Sequence, residues 1–500
     1  MKQKYAVMVT AIVLLLISES FAQNGTRLIA FDAKTAGRGG ASTGFFDNPS
    51  LMMNNPAGLS FLKSNQLDFS FSLMAPTVQF TNELNNADGK SNIFPLGCIS
   101  YAHPSQQKLS YAVGLFTQGG MGADFNLNHA LYKTQTGTYV PQTYHSKFAV
   151  MQAGGSMAYK LSSKISVGLT ATLVYGQVEF QMPMAMSPSA LKGVIDPLTG
   201  FTFGDLFSAP LESGGLGYNE LIASATMKGL TAYGFNGKIG LAFKPNDRFS
   251  AGINYSLPVE MNYQNGKATM DMTYQLNDAF GKVVAGIMQQ YPNLSSDQAQ
   301  KLAMAKFAQL GIDLSKGVVD HYDARAKFGL PQSLSAGLFF AASKKLRIGL
   351  DAEWINWKNA FDQMDISLAN GTNPNINRMT GSEGSLQMAF PLKWDNSIMV
   401  RTGGEFDISP CITLRSGYAF GSNPVPSSTI FPLFPAIVEH HVTLGGAARL
   451  SHAWTINIAY EHAFKNSQTS DPKNLIGSEY NNSTSSLKND IFHVSFAVLL

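Results

Sequence analysis

The sequence predicts an all-β fold, a fourteen-stranded antiparallel β-barrel that spans a membrane. Three observations point there. First, residues 345–354 read Lys-Leu-Arg-Ile-Gly-Leu-Asp-Ala-Glu-Trp, apolar at every even position and Gly or charged at every odd one. The same alternation sets Leu67, Phe69, Phe71 and Leu73 against Asp68, Ser70 and Ser72, and Ile165, Val167, Leu169 and Leu173 against Ser166, Gly168 and Thr172. Successive strand side chains point to opposite faces, so each such segment has one greasy and one polar face. Second, only 14% of the residues are charged, against roughly a quarter in soluble chains, so much of the chain faces something other than water. Third, the N-terminus reads as an export signal, and no later apolar run is long enough for a spanning helix. With 45% hydrophobic residues and a mean hydropathy of −0.02, the chain is too polar for a helical membrane protein but fits a barrel, where only alternate residues meet lipid.

Residues 1–22 are expected to be a cleaved signal peptide. Lys2 and Lys4 form its basic end, residues 6–17 its apolar run, and Ser20-Phe21-Ala22 its small-x-small site, so that Gln23 begins the mature chain. No Cys follows the cut, which argues against a lipoprotein. From 23 to 64 the chain is irregular and rich in Gly, Ala, Asn and Pro, too polar for lipid but suited to filling a lumen. The barrel occupies 65–500. Its strands are expected at 65–75, 92–103, 107–118, 147–161, 164–182, 223–244, 248–275, 320–342, 345–370, 386–408, 411–420, 438–450, 453–465 and 488–500. The connections alternate between tight turns and long links, as periplasmic turns and outer loops do in outer-membrane barrels.

One long loop, about 278–311, carries helical periodicity. Phe280, Val283, Val284, Ile287 and Met288 make one stripe; Ala299, Leu302, Ala303 and Phe307 make a second, with Ser295 and Gln298 spaced as a capping box and Gly311 placed to end the helix. Phe280, Val284, Ile287, Met288, Leu302 and Phe307 are expected to border a ligand entrance; mutual packing of the stripes on the barrel mouth explains the same pattern. The last strand has Phe492, Val494, Phe496, Val498 and Leu500 on one face, which fits an assembly signal read by the barrel assembly machinery, although Leu500 stands where an aromatic is more typical. Cys98 and Cys411 are read as two unpaired thiols.

Several motifs, in order, resemble those of the FadL family of outer-membrane transporters for long-chain fatty acids and other hydrophobic compounds. They are Gly37-Arg38-Gly39-Gly40-Ala41 with Asp47 and Asn55-Pro56-Ala57-Gly58-Leu59; Ala251-Gly252-Ile253-Asn254-Tyr255-Ser256; Leu330-Pro331-Gln332-Ser333 running into Glu353-Trp354-Ile355-Asn356-Trp357; and Leu414-Arg415-Ser416-Gly417-Tyr418 with Asn423-Pro424 after it. The resemblance implies a monomer in the outer membrane of a Gram-negative bacterium. It implies an N-terminal hatch held around Asn55, Pro56 and Ala57 that plugs the lumen. It implies passive transport in which ligand caught among outer loops leaves sideways into membrane lipid, beside an inward kink of the third strand. The matching segment is 116–125, and Gly119, Gly120 and Gly122 are the lateral-gate residues. Independently, three glycines at a strand end break a ladder and permit close backbone approach.

Other chemistries find little support in the sequence. There is no G-x-S-x-G elbow and no phosphate-binding glycine loop with lysine. His440 and His441 are adjacent in a strand and point to opposite faces, so no metal site is expected. Neither a catalytic residue nor a cofactor is expected, and a net charge of +3 without a basic patch gives no reason to expect nucleic acid. The expected ligand is a hydrophobic small molecule. A fatty acid wants a cationic anchor, yet neither Gly176-Gln177-Val178-Glu179-Phe180 nor Met364-Asp365 offers one; Lys228, Lys267 or Arg325 are candidates from elsewhere, and a neutral compound fits equally well. The competing class is a structural or adhesive barrel that binds protein or a host surface through its loops.

Overall fold

The computed structural model describes residues 25–105, 107–134 and 136–500; the expected signal peptide lies outside the described residues. Each stretch of alternation is a strand, and the wall is a closed antiparallel barrel of fourteen. The strands are β1 (Gln66–Asn82), β2 (Phe94–His103), β3 (Leu109–Met121, continued by Asp124–Leu127), β4 (Gln142–Lys160), β5 (Ile165–Met186), β6 (Leu221–Phe243), β7 (Phe249–Ser256 and Val259–Asp271), β8 (Val319–Leu330 and Ser333–Ala341), β9 (Leu346–Ile355 and Gln363–Ala369), β10 (Leu386–Pro391 and Ser397–Asp407), β11 (Ile412–Gly421), β12 (His440–Arg449), β13 (Trp454–Thr469) and β14 (Thr484–Leu499). β14 closes the sheet on β1, in register from Gln66↔Leu499 to Thr81↔Thr484. Closure joins the first strand to the last, so the sheet has no terminal edge, as lipid requires of a sheet that spans it.

The alternation sorts side chains as expected, then reverses. In the lower part of β5, Ile165, Val167, Leu169 and Leu173 face outward and are exposed, while Ser166, Thr170 and Thr172 are buried inside. Above Val174 the inward positions are apolar, namely Val178, Phe180, Met182 and Met184, while Gln177, Glu179 and Gln181 face outward. No bulge separates the two halves, because the β5 register with β4 is unbroken. The reversal marks the upper edge of the bilayer. Below it each outward aliphatic side chain gains about 1.5–3 kcal/mol in lipid; above it the wall stands in water. The outward rings Tyr175 and Tyr233, 5.4 Å apart, sit at this boundary, and Tyr159, Phe243, Phe340, Phe406 and Trp454 ring the opposite end. Paired aromatic girdles are the usual borders of such a belt.

The lumen follows from the same reversal: its lower half is polar and its upper half apolar. The polar half holds residues 25–64. Asp32 caps the turn Ala33–Ala36 by accepting from the Thr35 amide at 2.8 Å, and Asn55 caps Pro56–Phe61 by accepting from the Ala57 amide at 3.2 Å. The wall offers charges to this segment. Glu405 meets Arg38 at 3.3 Å, Glu353 meets Arg27 at 2.9 Å, and Asp351 accepts from the amides of Ser42 (2.7 Å) and Thr43 (2.8 Å); within the segment Arg38 also pairs with Asp47 at 2.8 Å. The wall also offers glycines: at Gly240 and Gly252, inward-facing on β6 and β7, a Cβ would overlap the side-chain amide of Asn55.

Several strand ends differ from expectation by a few residues, and three differences matter most for the lumen. β1 continues past 75 to Asn82 and pairs with the short strand Asn85–Asp88. Pro76 suggests a strand end, but it is tolerated because the ladder to β2 stops at Met74↔Phe94, leaving Pro76 paired only with β14. β7 ends at Asp271, and the helix expected from about 278 begins at Thr273. The link at 421–437 is not an outer loop: residues 429–438 are buried in the upper lumen, where Ile430, Phe431, Leu433, Phe434 and Ile437 join the apolar cluster. Cys98 is buried and Cys411 exposed, and both are free thiols.

Candidate functional site: mouth, lumen and wall opening

At the outer end the helical loop forms α1 (Thr273–Gln290) and α2 (Ser296–Gln309). Ser295 and Gln298 make the expected capping box, and Gly311 ends α2 at φ +81°. The six expected entrance residues separate. Val284 and Ile287 pack with Ala299 and Ala303 between the helices, and Phe307 is buried 5.8 Å from the Phe280 ring. Met288 and Leu302 are exposed on the outside. Phe280 lines the mouth, a cavity of about 1220 Å³ shared with Tyr274, Gln275, His129 and Tyr218.

The mouth is acidic. Its lining includes Glu83, Glu220, Asp278 and Glu479 against Lys133, and Lys282 reaches its edge, 3.9 Å from Asp278 and over the Tyr218 ring. Burial pushes the Glu479 carboxyl up to about 8, despite the Tyr144 hydroxyl that donates to it at 2.5 Å, and burial also pushes His129 down to about 4. The two face each other at 3.9 Å as neutral groups, since near pH 7 neither holds its charge. Two other carboxylates are hydrogen-bonded: Asp278 accepts from Tyr218 at 2.5 Å, and Glu220 accepts from the Ser478 amide at 3.1 Å. The candidate cations lie elsewhere. Lys228 and Arg325 face outward, and Lys267, 80% exposed, is paired with Asp323 at 2.5 Å.

Below the mouth the lumen is lined with rings. Phe148 lies 5.4 Å from Phe328, Phe328 stacks on Tyr263 at 4.8 Å, and Trp357, Phe361 and Trp394 complete the group. The inward segment is tied among them, with Thr429 donating to the Leu392 carbonyl at 2.6 Å and Asn474 to that of Ile430 at 2.8 Å. Sequence reading missed this segment. The clue was present: 430–438 reads Ile-Phe-Pro-Leu-Phe-Pro-Ala-Ile-Val, an uncharged run that an exposed loop would not carry.

The third strand bends inward where its glycines are. β2 and β3 pair from His103↔Tyr111 up to Cys98↔Phe116 and then part. β3 continues beside β4 through Gly119↔Val150 to Met121↔Phe148, with a register shift between Thr117 and Gly119. Phe94 to Gly97 of β2 therefore pairs with β1 on one side and has no backbone ladder to β3 on the other, where the Gly97 amide donates to the Thr117 hydroxyl at 3.3 Å and a gap opens above it. The gap is closed above by Lys90, whose amide donates to the Asp124 carbonyl at 2.9 Å, and by Asn92, which donates to the Asp124 carboxylate at 2.8 Å. Gly119, at φ +150°, lies against the luminal segment: it bridges Arg27, and a Cβ there would overlap the Thr26 carbonyl. A Cβ at Gly122 would overlap the Ser146 carbonyl; Gly120 is buried between them. Asn55 anchors the luminal segment farther down, donating to the carbonyls of Thr43 (3.2 Å) and Leu241 (3.1 Å); Pro56 and Ala57 are buried with it.

Comparison with known proteins agrees with this architecture. The family described as outer membrane protein transport protein (OMPP1/FadL/TodX) matches residues 14–496. The crystal structure of the Pseudomonas putida toluene transporter TodX superposes with a TM-score of 0.65 at 17% identity, over 96% of this chain and 100% of that one. A Pseudomonas aeruginosa FadL homologue gives 0.66 at 15% identity over 95% and 99%, and the Ralstonia pickettii toluene transporter TbuX 0.60 at 15% over 95% and 99%. At these identities the likeness is one of fold. A curated relative, an uncharacterised protein from the 5′ region of the phosphoenolpyruvate carboxykinase gene of Chlorobium limicola, is 26% identical over 111 residues; the match covers 22% of this chain and 55% of that protein.

Proposed function

Because the chain belongs to the OMPP1/FadL/TodX family of outer-membrane transport channels, which move hydrophobic compounds and are not enzymes, we propose that it carries uncharged hydrophobic molecules, in preference to fatty acids, from the outer surface into the membrane. The observation that carries the choice of substrate is the acidic mouth, where Glu83, Glu220 and Asp278 face the cavity that a ligand enters. A fatty-acid carboxylate arriving there meets like charge and no cationic fork to replace its hydration. A neutral arene or alkane loses nothing to those charges and gains roughly 0.8 kcal/mol for each CH₂ moved from water to the apolar lumen. The description of TodX and TbuX as toluene transporters supports a neutral cargo.

The route in this reading runs from the mouth past Phe280, through the ring-lined upper lumen, and sideways at the gap beside Gly119. Residues 23–64 act as a hatch that blocks the straight path to the periplasm. Release into lipid keeps the cargo's gain from burial, whereas release into a wet periplasm forfeits it. The strand edge exposed by the gap is tolerable in lipid because its groups find other partners, such as the Leu28 amide donating to the Gln118 carbonyl at 3.4 Å. The test is uptake by the full-length protein in outer-membrane vesicles, comparing a neutral aromatic hydrocarbon with a long-chain fatty acid. The hydrocarbon is expected to enter at least tenfold faster relative to vesicles lacking the protein. Equal or faster protein-dependent uptake of the fatty acid overturns the choice of substrate.

A further inference from the structure

A second interruption of the wall lies away from β3. β7, β8, β9 and β10 each break at one level, at residues 257–258, 331–332, 356–362 and 392–396. β8 and β9 pair from Asp323↔Ala369 to Lys327↔Asp365 above the break and from Ser333↔Ile355 downward below it, so 328–331 have no ladder partner on β9, and Gln332 keeps the Asn356 amide, which donates to its carbonyl at 3.0 Å. A cavity of about 450 Å³ fills the gap. It sits where outward side chains change from Ile253 and Leu257 below to Glu260 and Asn262 above, the level of the outer lipid headgroups. Its floor is Val259, Leu330, Pro331 and the edge of Phe328. On its rim Glu260 is paired with Lys327 at 2.8 Å and Asp362 with Lys393 at 2.9 Å, while Asp365 accepts from the Gln363 amide at 2.6 Å, so no cation of the rim is left over for an acidic ligand. Phe328 is the partition: it lines this cavity, and its other face stacks on Tyr263 in the luminal ring cluster. The Tyr263 hydroxyl behind it is buried without a hydrogen-bond partner.

We propose that this cavity is a second, lateral entrance, by which an uncharged hydrophobic molecule with one hydrogen-bonding group passes from the outer leaflet into the ring-lined lumen past Phe328. The proposal rests on the transport reading above. It adds a source, since cargo already dissolved in the outer leaflet need not return to water to reach the mouth.

The test uses full-length protein in outer-membrane vesicles and a neutral aryl-diazirine alcohol, first as a transport substrate and then as a photolabel. Adducts are expected within 328–332 and 356–363, and excess unlabelled alcohol should suppress them. Filling the cavity from its exposed side with Asn359→Trp or Gln363→Trp should abolish the adducts and lower uptake of membrane-dissolved alcohol at least threefold. Thr81→Trp, at an exposed site on β1 away from this cavity, should leave both unchanged, which separates filling from a general effect of the added ring. Adducts that excess alcohol does not suppress mean that a lipid chain occupies the cavity, and they overturn the proposal. So does normal uptake in both Trp variants. Absence of protein-dependent uptake in the unaltered chain would instead reject the transport reading itself.

Discussion

The hydroxyl of Ser146 donates to the Leu433 carbonyl at 2.7 Å, joining the fourth strand to the chain segment folded into the upper lumen. The same oxygen accepts from the Ala123 amide at 2.9 Å, just past the glycines of β3. One side chain thus ties the bent strand to the luminal filling. Ser146→Ala leaves a buried amide and a buried carbonyl unpaired, each worth about 1–3 kcal/mol. Amide exchange at Ala123 is expected to rise by at least tenfold while exchange in the lower part of β5 stays unchanged. Unaltered exchange at Ala123 would show that the tie does not hold the bend.

Replacing Gly119 and Gly120 with Val should abolish uptake while leaving binding at the mouth intact. A side chain at 119 cannot coexist with the Thr26 carbonyl, and φ +150° is strained for Val, so β3 must leave its inward path. Normal uptake by correctly inserted variant protein removes the lateral route and leaves passage through the lumen as the better account.

Asn55→Leu removes both donations to the Thr43 and Leu241 carbonyls and the cap on Ala57. The loss is of order 2–5 kcal/mol, concentrated in the luminal segment. Single-channel conductance, expected near zero for the intact chain, should show frequent openings in the variant. A silent variant counts against the hatch.

Loop stability at the mouth should fall as pH rises. The folded carboxyl of Glu479 titrates near 8, above the ordinary carboxyl range near 4.5, because burial disfavours its charge. A raised folded value means that the stabilisation is complete below about 4.5, declines between 4.5 and 8 as only the unfolded loop can ionise, and is gone above 8. His129, facing it at 3.9 Å and pushed down from 6.5 to about 4, acts in the opposite sense below 6.5, so amide exchange around 478–482 should accelerate mainly between about 6.5 and 8. Glu479→Gln should flatten the profile; a profile as steep as before assigns the titration to another group.

Among the loop helices, substitutions should separate by position. Phe280→Ala is expected to cut uptake several-fold by removing a wall of the mouth. Met288→Asp, at a 40% exposed site, should do nothing. Ile287→Asp buries a charge between α1 and α2, costing several kcal/mol, and should disorder the pair. Uptake loss in Met288→Asp with an intact helix pair would move the entrance to the outer face of α1.

The strands were legible because a period of two survives wherever one face meets lipid, as Ile165 to Leu173 show. Their ends were less so. Above the bilayer the greasy face of β5 becomes the inner one, and a reading that follows one phase loses the strand near Met182, four residues before its end at Met186. Pro76 hid the upper part of β1 because a proline's lack of a donor is harmless only where the neighbouring strand is absent, which sequence does not show. The glycines at 119, 120 and 122 could be picked out, but Thr26 as the reason for Gly119 could not, since that contact links segments far apart in sequence. The helical stripes were correct as periodicity. They did not tell Phe280, which faces the cavity, from Ile287, which faces its partner helix, because both lie on the apolar side.

The phase reversal in β5 also fixes how far the protein reaches. Residues 177–186 continue the strand beyond the girdle at Tyr175, and with the usual rise and tilt that length stands roughly 25 Å clear of the hydrocarbon. On the route proposed above the barrel would act as a chimney, loading well clear of the hydrocarbon and unloading within it. A sparingly soluble molecule taken by that route would be spared part of the diffusion through the hydrated layer at the surface.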